Sequence, residues 1–316
     1  MVGKPFPSGH LIADRRADFA ATMAHLGDMD AAIEILGSAL EIAPDWAAGW
    51  FRLGEYFEMV GDQERAIKAW KHVIEHDPSD PFGAGLKIDL MSGQTVSDSA
   101  PSAFVEMLFD QYAPRFEASL VEKLEYRAPD LLMQGLLDTG MTAAAKALDL
   151  GCGTGLMGER LRPYADWLGG YDISQGMLNE ASEKNLYDLL EKRDLNALEP
   201  VQNQYDLIVA ADVFIYLGAL ERIISWTSHA LTPNGRFAFT LERGDLPYQL
   251  RDSRRFAHSK EYVRDLLQQA GFTHMHLVDC VLRQDRGQDV HGFMVVATRV
   301  ADQFGRDRDG EQSEFV

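Results

Sequence analysis

The amino-acid sequence predicts a multidomain chain, in which an all-α repeat domain is followed by an α/β domain with a doubly wound, mostly parallel sheet. Its 316 residues suit two ordinary domains, and a hydrophobic content of 46% provides enough apolar side chains for two cores. An internal repeat indicates the helical domain. Farther along the chain, short β-rich runs alternate with helical stretches, which is typical of an α/β fold.

Residues 1–92 contain a repeat with a period of 34 residues. Gly27 and Pro44 recur as Gly61 and Pro78, and apolar positions between them recur as well. This pattern resembles the tetratricopeptide repeat, a pair of helices that buries its faces by stacking on its neighbours. Such a domain can pack on the rest of the chain, dimerise or dock a partner protein, and the sequence leaves these roles open.

The domain boundaries are predicted from composition. Residues 93–103 are rich in Ser, Gly and Pro and carry few apolar side chains, which predicts an interdomain linker. The α/β domain is then predicted over residues 104–300. Residues 301–316 are polar, charged and without periodicity, which predicts a disordered tail.

Charge and cysteine content exclude several classes of protein. The net charge of −19 would repel a phosphate backbone, so we expect no binding to nucleic acid or to an anionic membrane. With only two cysteines and no Cys-x-x-Cys or Cys/His cluster, neither a disulfide framework nor a metal site is expected. The N-terminus lacks an apolar signal segment and no long apolar run occurs, so we expect a cytoplasmic protein.

The stretch KALDLGCGTGLMGERL predicts a strand, a glycine-rich turn and a helix start. Gly151, Gly153 and Gly155 follow a short apolar run that contains Asp149. Glycine permits positive φ and lets a ligand approach the backbone closely, so this turn predicts a nucleotide-like ligand. The run Gly153-Thr154-Gly155-Leu156-Met157-Gly158 also fits the dinucleotide fingerprint, so NAD is considered as well.

Three acidic residues, Asp149, Asp172 and Asp194, lie at the ends of successive predicted strands, at spacings of 23 and 22 residues. A strand and its crossover helix take about that length, so the three carboxylates should return to one edge of the sheet. A carboxylate accepts hydrogen bonds, which suits Asp172 to the paired hydroxyls of a ribose. By the same argument Asp194 suits an adenine amine, and Asp149 suits a cationic amino-acid tail.

The remaining runs complete an open α/β pattern. KALDL, WLGGYDI, YDLIVAAD and GRFAFTLE are predicted strands, and residues 175–185, 219–229 and 259–270 are predicted helices. Residues 273–282 and 292–298 are predicted to form an antiparallel hairpin, because a short, turn-rich segment joins them. This hairpin and the lack of a Tyr-x-x-x-Lys pair leave an NAD-dependent oxidoreductase as a minor alternative.

Five ordered motifs, DLGCGTG, YDIS, RDLNAL, YDLIVAADVFIYL and HALTPNGRFAFT, make the second domain resemble a class I S-adenosylmethionine-dependent methyltransferase. FDQYAPRFEASLVEKLEYRAPDLL resembles the cofactor-covering lid of that family. With its repeats, nearly the whole chain is similar to a group of bacterial predicted methyltransferases that carry tetratricopeptide repeats. The resemblance implies a Rossmann-like sheet, S-adenosylmethionine as cofactor and S-adenosylhomocysteine as product, without a metal.

The resemblance also implies cofactor-binding roles for individual residues. Gly151, Gly153 and Gly155 would shape the turn round the methionine part, with Asp149 near its ammonium. The other implied contacts are Asp172 at the ribose, Ile173 and Met177 beside the adenine, Asp194 and Leu195 at the adenine edge, Ala211 beside the methionine part, and Tyr112 in the lid.

The implied reaction is an in-line displacement that moves the methyl group to an O or N atom of a small-molecule acceptor. The fourth motif lacks the Asn/Asp-Pro-Pro-Tyr/Phe set, which disfavours methylation of DNA adenine or of glutamine side chains. An alternative is a binding module, in which the repeats recruit a protein and the cofactor fold senses S-adenosylmethionine or modifies only the docked partner.

The segment LERGDLPYQLRDSRRFAHSK is expected to arch over the carboxyl ends of the strands. We hypothesise that Arg251, Arg254 and Arg255 bind an anionic acceptor there. His258 or Tyr248 would then accept a proton. The alternative is an ordinary solvated loop in which His258 is packed near a helix start.

Overall fold

The computed structural model describes residues 6–93, 96–117, 125–285 and 287–299, and the predicted tail over residues 301–316 lies outside them. The chain divides into two compact units. The helical unit comprises Met1–Tyr112, Ile215–Ala219 and Tyr248–Ala257. The sheet unit comprises Ala113–Phe214, Leu220–Pro247 and His258–Val316.

Among the described residues, α-helices precede β1, and from β1 onward strands are interspersed with helices. The helices are α1 (Leu11–His25), α2 (Met29–Ile42), α3 (Ala47–Met59), α4 (Gln63–His76), α5 (Ala84–Ser92), α6 (Ser102–Tyr112), α7 (Ala128–Asp138), α8 (Leu156–Leu161), α9 (Gln175–Glu183), α10 (Glu221–Ala230) and α11 (Lys260–Gln269). The strands are β1 (Ala144–Leu150), β2 (Ala165–Asp172), β3 (Leu189–Lys192), β4 (Tyr205–Ala210), β5 (Leu231–Glu242), β6 (Tyr248–Leu250), β7 (Phe256–His258), β8 (Phe272–Asp285) and β9 (Gln288–Arg299).

The helical unit repeats one local structure at the start of α2 and of α4. Gly27 and Gly61 have φ values of +86° and +78°, which end the preceding helix in the left-handed region. The next residues, Asp28 and Asp62, cap the following helix, because each carboxylate accepts the backbone N–H three residues on. The 34-residue period of the sequence therefore corresponds to a repeated turn between two helices.

Trp70 fills the centre of the helical core. Its side chain is fully buried, and its indole N–H donates to the backbone carbonyl of Phe51 at 3.2 Å. Gly54 makes this packing possible, since a Cβ atom at that position would overlap the indole ring. The pair thus joins α3 to α4 by close contact of a large and a small residue.

Trp70→Ala is expected to lower the free energy of unfolding by about 3–5 kcal/mol, because it removes buried apolar area and leaves a cavity. Urea unfolding followed by circular dichroism measures this change. Phe19→Ala serves as control, because Phe19 is a 55% exposed aromatic residue of the same unit and its loss should cost less than about 0.5 kcal/mol. Equal effects of the two substitutions would contradict the assignment of Trp70 to the core.

The helical unit also contains segments that composition assigned to the α/β domain. Phe104 in α6, Tyr216 and Phe256 bury their rings in one apolar cluster together with Leu86 of α5. Residues 104–112, 215–219 and 248–257 consequently belong to the helical unit. This differs from the boundary expected at residue 104, since burial of these rings, rather than the composition of the linker, determines which segments fold together.

The sheet unit is built on a Rossmann-like sheet with strand order β3-β2-β1-β4-β5-β9-β8. The first five strands are parallel, and β9 is antiparallel to both β5 and β8. The predicted closing hairpin is therefore confirmed. Strand order reverses direction between β1 and β4, which is the point where open α/β sheets bind ligands. Within the described residues, no helix is long and apolar enough to cross a membrane.

Candidate active site

The glycine loop between β1 and α8 has the backbone that its glycines predict. Gly151, Gly153 and Gly155 have φ values of +66°, +54° and +92°, which other residues rarely adopt. A Cβ atom at Gly151 would overlap the side chain of Val213, which follows β4. The loop therefore lies against the end of β4 at the reversal point of the sheet.

Asp172 joins the glycine loop to the end of β2. Its Oδ2 accepts the N–H of Gly153 at 2.9 Å, and its Oδ1 accepts the N–H of Ser174 at 2.8 Å. Ser174 in turn caps α9 by accepting the N–H of Met177. Through these two hydrogen bonds Asp172 holds the glycine loop against the end of β2.

Asp149 is fully buried at the end of β1. The hydroxyl of Tyr187 donates to its Oδ2 at 2.7 Å, and among the described residues its buried Oδ1 has no hydrogen-bond partner. Burial is the main cause that raises the pKa of this carboxyl to about 7; the hydrogen bond from Tyr187 opposes the rise, and the charge of Asp172 adds to it. The hydroxyl of Thr154 is likewise buried without a partner in the described part of the chain.

Tyr187 was not among the residues predicted from the sequence. Its ring lies against Gly158, where a Cβ atom would overlap the hydroxyl, and against Gly155. The spacing of 38 residues between Tyr187 and Asp149 carries no signal in a single sequence. A tyrosine at this position orients the buried carboxylate and closes one side of the glycine loop.

Part of the predicted lid lies over the glycine loop. A Cβ atom at Gly153 would lie 3.8 Å from the ring of Phe116. The ammonium of Lys184 contacts Glu117 at 2.5 Å and Glu159 at 2.6 Å. Burial lowers the pKa of this ammonium, but the two carboxylates outweigh it and raise the pKa above its ordinary value. Residues 118–124 of the predicted lid lie outside the described residues.

The other predicted cofactor residues of the sheet unit follow its strands. Asp194 comes after β3 and caps a short 3₁₀ helix by accepting the N–H of Asn196 at 2.8 Å. Met177 is buried in the first turn of α9. Ile173, Leu195 and Ala211 are partly buried just after β2, β3 and β4. Tyr112, in contrast, ends α6 in the helical unit, and its cofactor contact stays a prediction.

A buried ion cluster, which we call the Arg283 cluster, consists of Arg283, Asp212 and Glu242. Asp212 follows β4, Glu242 ends β5, and Arg283 projects from β8. Nη1 of the arginine contacts Oδ2 of Asp212 at 2.6 Å, and Nη2 pairs with Glu242. The side chains of Arg283 and Glu242 are only 2% and 4% exposed. This cluster was not predictable from the sequence, because Arg283 is 71 residues from Asp212 and 41 residues from Glu242.

Tyr126 adjoins the Arg283 cluster. Its hydroxyl donates to the carbonyl of Ala211 at 3.3 Å. Burial raises the pKa of this phenol well above its ordinary value, and the charges of Asp212 and Asp149 raise it further against the effect of Arg283. Tyr126 is therefore a neutral hydrogen-bond donor between the ends of β1 and β4.

The arginine segment predicted to bind an acceptor is engaged within the helical unit. Arg254 donates to the carbonyl of Phe82 at 2.9 Å, and its guanidinium lies 4.6 Å from the ring centre of Phe104. Burial lowers the pKa of this arginine. The hydroxyl of Tyr248 donates to Asp98 at 2.8 Å. Arg254 and Tyr248 are thus hydrogen-bonded within the helical unit, and their roles toward an acceptor stay predictions.

The two neighbouring arginines and the histidine of this segment are also placed by the structure. Arg251 and Arg255 are joined by a backbone hydrogen bond of 2.9 Å across a turn in the helical unit. His258 belongs to the sheet unit, is fully buried, and stacks on Tyr262 with ring centres 6.2 Å apart. A buried, stacked imidazole fits the packed histidine of the alternative interpretation better than an exposed proton acceptor.

Part of the chain is similar in sequence to known methyltransferases. A family model described as a methyltransferase domain matches residues 148–237. Human methyltransferase-like protein 27 is 32% identical over 173 residues, which are 52% of this chain and 65% of that protein. A malonyl-[acyl-carrier protein] O-methyltransferase of Enterobacter lignolyticus is 26% identical over 163 residues, which are 52% of this chain and 63% of the relative.

One solved structure to which the chain has some similarity is magnesium protoporphyrin IX methyltransferase from Synechocystis PCC 6803 with bound S-adenosylmethionine. It covers 65% of this chain and 99% of its own, at 19% identity and a TM-score of 0.49. The chain spans between about one third and two thirds of the curated relatives it matches. The matched residues 148–237 contain the glycine loop, Asp149, Asp172 and Asp194. Over residues 148–237, the chain therefore matches a methyltransferase domain.

Proposed function

We propose that the sheet unit binds S-adenosylmethionine at the carboxyl ends of β1, β2 and β3 and transfers its methyl group to an O or N atom of a small-molecule acceptor. The observation that carries this proposal is the pair of buried polar atoms at the glycine loop. Oδ1 of Asp149 and the hydroxyl of Thr154 have no partner among the described residues. Buried polar atoms are normally hydrogen-bonded, so a ligand with an ammonium group fits this place.

Within this proposal the predicted roles are retained for the residues that the strand ends bring together. Asp149 faces the ammonium, and Asp172 accepts from the ribose while it keeps the loop in position. Around the adenine and the methionine part we place Ile173, Met177, Asp194, Leu195 and Ala211.

The cofactor supplies a methyl group that is already activated by a sulfonium. The protein then has to hold donor and acceptor in line and to keep water out. Phe116, Tyr187 and the aliphatic part of Lys184 surround the glycine loop and serve the exclusion of water. The acceptor-binding roles of Arg251 and Arg255 remain a prediction.

Calorimetry with S-adenosylhomocysteine and with NAD tests the proposal. We expect a dissociation constant of about 1 μM or tighter for S-adenosylhomocysteine and no binding of NAD. Asp172→Ala should weaken binding by at least about tenfold, because two backbone N–H groups lose their acceptor along with the ribose contact. Binding of NAD without binding of S-adenosylhomocysteine would overturn the proposal in favour of an oxidoreductase.

Lys184→Met is expected to speed the release of S-adenosylhomocysteine by about three- to fivefold, because it removes the ion pairs to Glu117 and Glu159 and keeps the aliphatic packing. Both glutamates are 40% exposed, which limits the effect. Stopped-flow displacement measures the rate. Arg160→Met removes an exposed ion pair to Asp130 elsewhere in the sheet unit and should leave the rate unchanged.

We also propose that the helical unit is tetratricopeptide-like and that it either self-associates or docks a partner protein. The repeated glycine and aspartate at the starts of α2 and α4 support this proposal. Sedimentation velocity of the full chain over a range of concentrations tests self-association. A concentration-dependent dimer supports it, whereas a monomer at all concentrations leaves docking as the role to be tested by capture with the full chain as bait.

A further inference from the structure

We propose that Asp212 makes the donor site select for positive charge at the cofactor sulfur. It would favour cationic S-adenosylmethionine relative to the neutral product S-adenosylhomocysteine. The inference rests on the proposed function and adds to it a residue that distinguishes donor from product by charge. Its basis is the position of Asp212, the net charge of the Arg283 cluster, and the backbone that holds the carboxylate.

Asp212 stands beside the glycine loop. Strands β1 and β4 pair in parallel, with Asp149 opposite Val209, and β4 ends at Ala210. Asp212 lies two residues after the end of β4. Its neighbour Val213 is so close to Gly151 that a Cβ atom at Gly151 would overlap the valine side chain. Since open α/β sheets bind ligands where strand order reverses, Asp212 and Asp149 stand on the two sides of the donor site.

The Arg283 cluster has an excess of negative charge. One guanidinium pairs with two carboxylates, so the formal charge of the three side chains sums to −1. The arginine occupies only Oδ2 of Asp212, and in the described part of the chain Oδ1 is buried without a hydrogen-bond partner. Charges act more strongly on one another in a poorly hydrated environment than in water. A cation near Oδ1 would therefore be stabilised, whereas a neutral thioether would gain nothing.

Tyr126 shows that the two carboxylates act on the same region. The charges of Asp212 and Asp149 both add to burial in raising the pKa of its phenol, while its hydroxyl contacts the carbonyl of Ala211. Ala211 is the residue placed beside the methionine part of the cofactor. The sulfonium, as the second positive charge of that cofactor besides its ammonium, would lie in the field of both groups.

The backbone at Asp212 is itself unusual. Its φ is +58°, in the left-handed region, and its N–H donates to the hydroxyl of Thr240 at 2.8 Å. Strained residues of this kind are concentrated at functional sites. The conformation also indicates which substitutions the fold tolerates, because asparagine and glycine adopt positive φ more readily than other residues. Asp212→Asn and Asp212→Gly thus remove the charge with little disturbance of the backbone.

The test compares three ligands by calorimetry on the full chain: S-adenosylmethionine, S-adenosylhomocysteine, and sinefungin, in which an amine replaces the methylated sulfonium. Asp212→Asn is expected to weaken the two cationic ligands by about tenfold and to change S-adenosylhomocysteine by less than about twofold. Glu242→Gln is the matched control. It removes the other carboxylate charge that pairs with Arg283, and Glu242 lies one strand farther from the glycine loop. This variant should change the ratio of the affinity for S-adenosylmethionine to the affinity for S-adenosylhomocysteine by less than about threefold.

Asp212→Gly should shift this ratio of affinities in the same direction. It serves as a second variant in case Asp212→Asn does not fold. Equal weakening of all three ligands would mean a structural role and would overturn the inference. An unchanged ratio in a folded Asp212 variant would overturn it too. If the unsubstituted protein binds none of the three ligands, the proposed function itself fails. If it binds them all and only the ratio fails to shift, the proposed function stands without this inference.

Discussion

Binding of S-adenosylhomocysteine is expected to release a proton and to tighten as the pH rises toward 7. The carboxyl of Asp149 has a pKa of about 7 in the ligand-free protein. A bound ammonium favours its charged form, so binding lowers this pKa. Below that value the protein must lose a proton to bind, and affinity should rise by up to about tenfold per pH unit, then level off above pH 7. Calorimetry in two buffers that differ in ionisation enthalpy counts the protons released.

Asp149→Asn isolates this effect, because asparagine has nearly the same shape and can still accept from Tyr187. The variant should bind about a hundredfold more weakly at pH 8, by loss of a buried charge pair, and without proton release by this group. The raised pKa of Asp149 also affects the stability of the ligand-free fold. Because the folded protein holds this proton more tightly than the unfolded chain, the group contributes stability at low pH, and this contribution is lost as the pH rises through about 7. The predicted role of Asp149 would be contradicted if the unsubstituted protein bound S-adenosylhomocysteine with the same affinity at every pH between about 5.5 and 8.

Gly151→Ala is expected to weaken S-adenosylhomocysteine binding by at least about thirtyfold. The residue has φ +66°, and a methyl group there would overlap Val213. The left-handed backbone costs an alanine about 1–2 kcal/mol, and the overlap costs about 1–3 kcal/mol more. The loop can relieve both only by moving, and that would carry Gly153 away from Asp172. Calorimetry together with thermal unfolding separates loss of binding from loss of the fold.

Gly140→Ala is the matched control for the backbone cost alone. Gly140 lies in the sheet unit with φ +82°, and a methyl group on its Cα would meet no other atom within 4 Å, so only the conformational penalty applies. We expect a small loss of stability and unchanged affinity for S-adenosylhomocysteine. Should Gly151→Ala bind as tightly as Gly140→Ala, the close approach of Val213 to the glycine loop would have no role in shaping the donor site.

Much of the architecture was predictable, because it depends on short-range features. The positive φ at Gly151, Gly153 and Gly155 follows from the glycines themselves. The closing hairpin of β8 and β9 follows from two apolar runs joined by a short, polar segment. The acidic residues at the ends of β1 and β2 and just after β3 come to one sheet edge because parallel strands joined by crossovers end on the same side.

The partners of the charged side chains were not predictable. Arg254 was expected to face an acceptor, yet its donors reach Phe82, which is 172 residues away, and its charge lies over Phe104. Asp212 appeared only as part of the fourth motif, and its pairing with Arg283 spans 71 residues. The sequence shows which residues are charged. It does not show which distant group will pair with each of them, because that depends on how the helices and strands pack.

The sequence by itself predicted the class of fold and the glycine loop, since caps, turns and strand spacing are local, and the resemblance of its motifs supplied the proposed donor. Only the tertiary structure decided that residues 215–219 and 248–257 fold with the helices, that Tyr187 holds Asp149, and that an arginine joins the ends of β4 and β5. These contacts form because apolar rings must leave water and buried charges must find partners, and both requirements are met across the fold rather than along the chain.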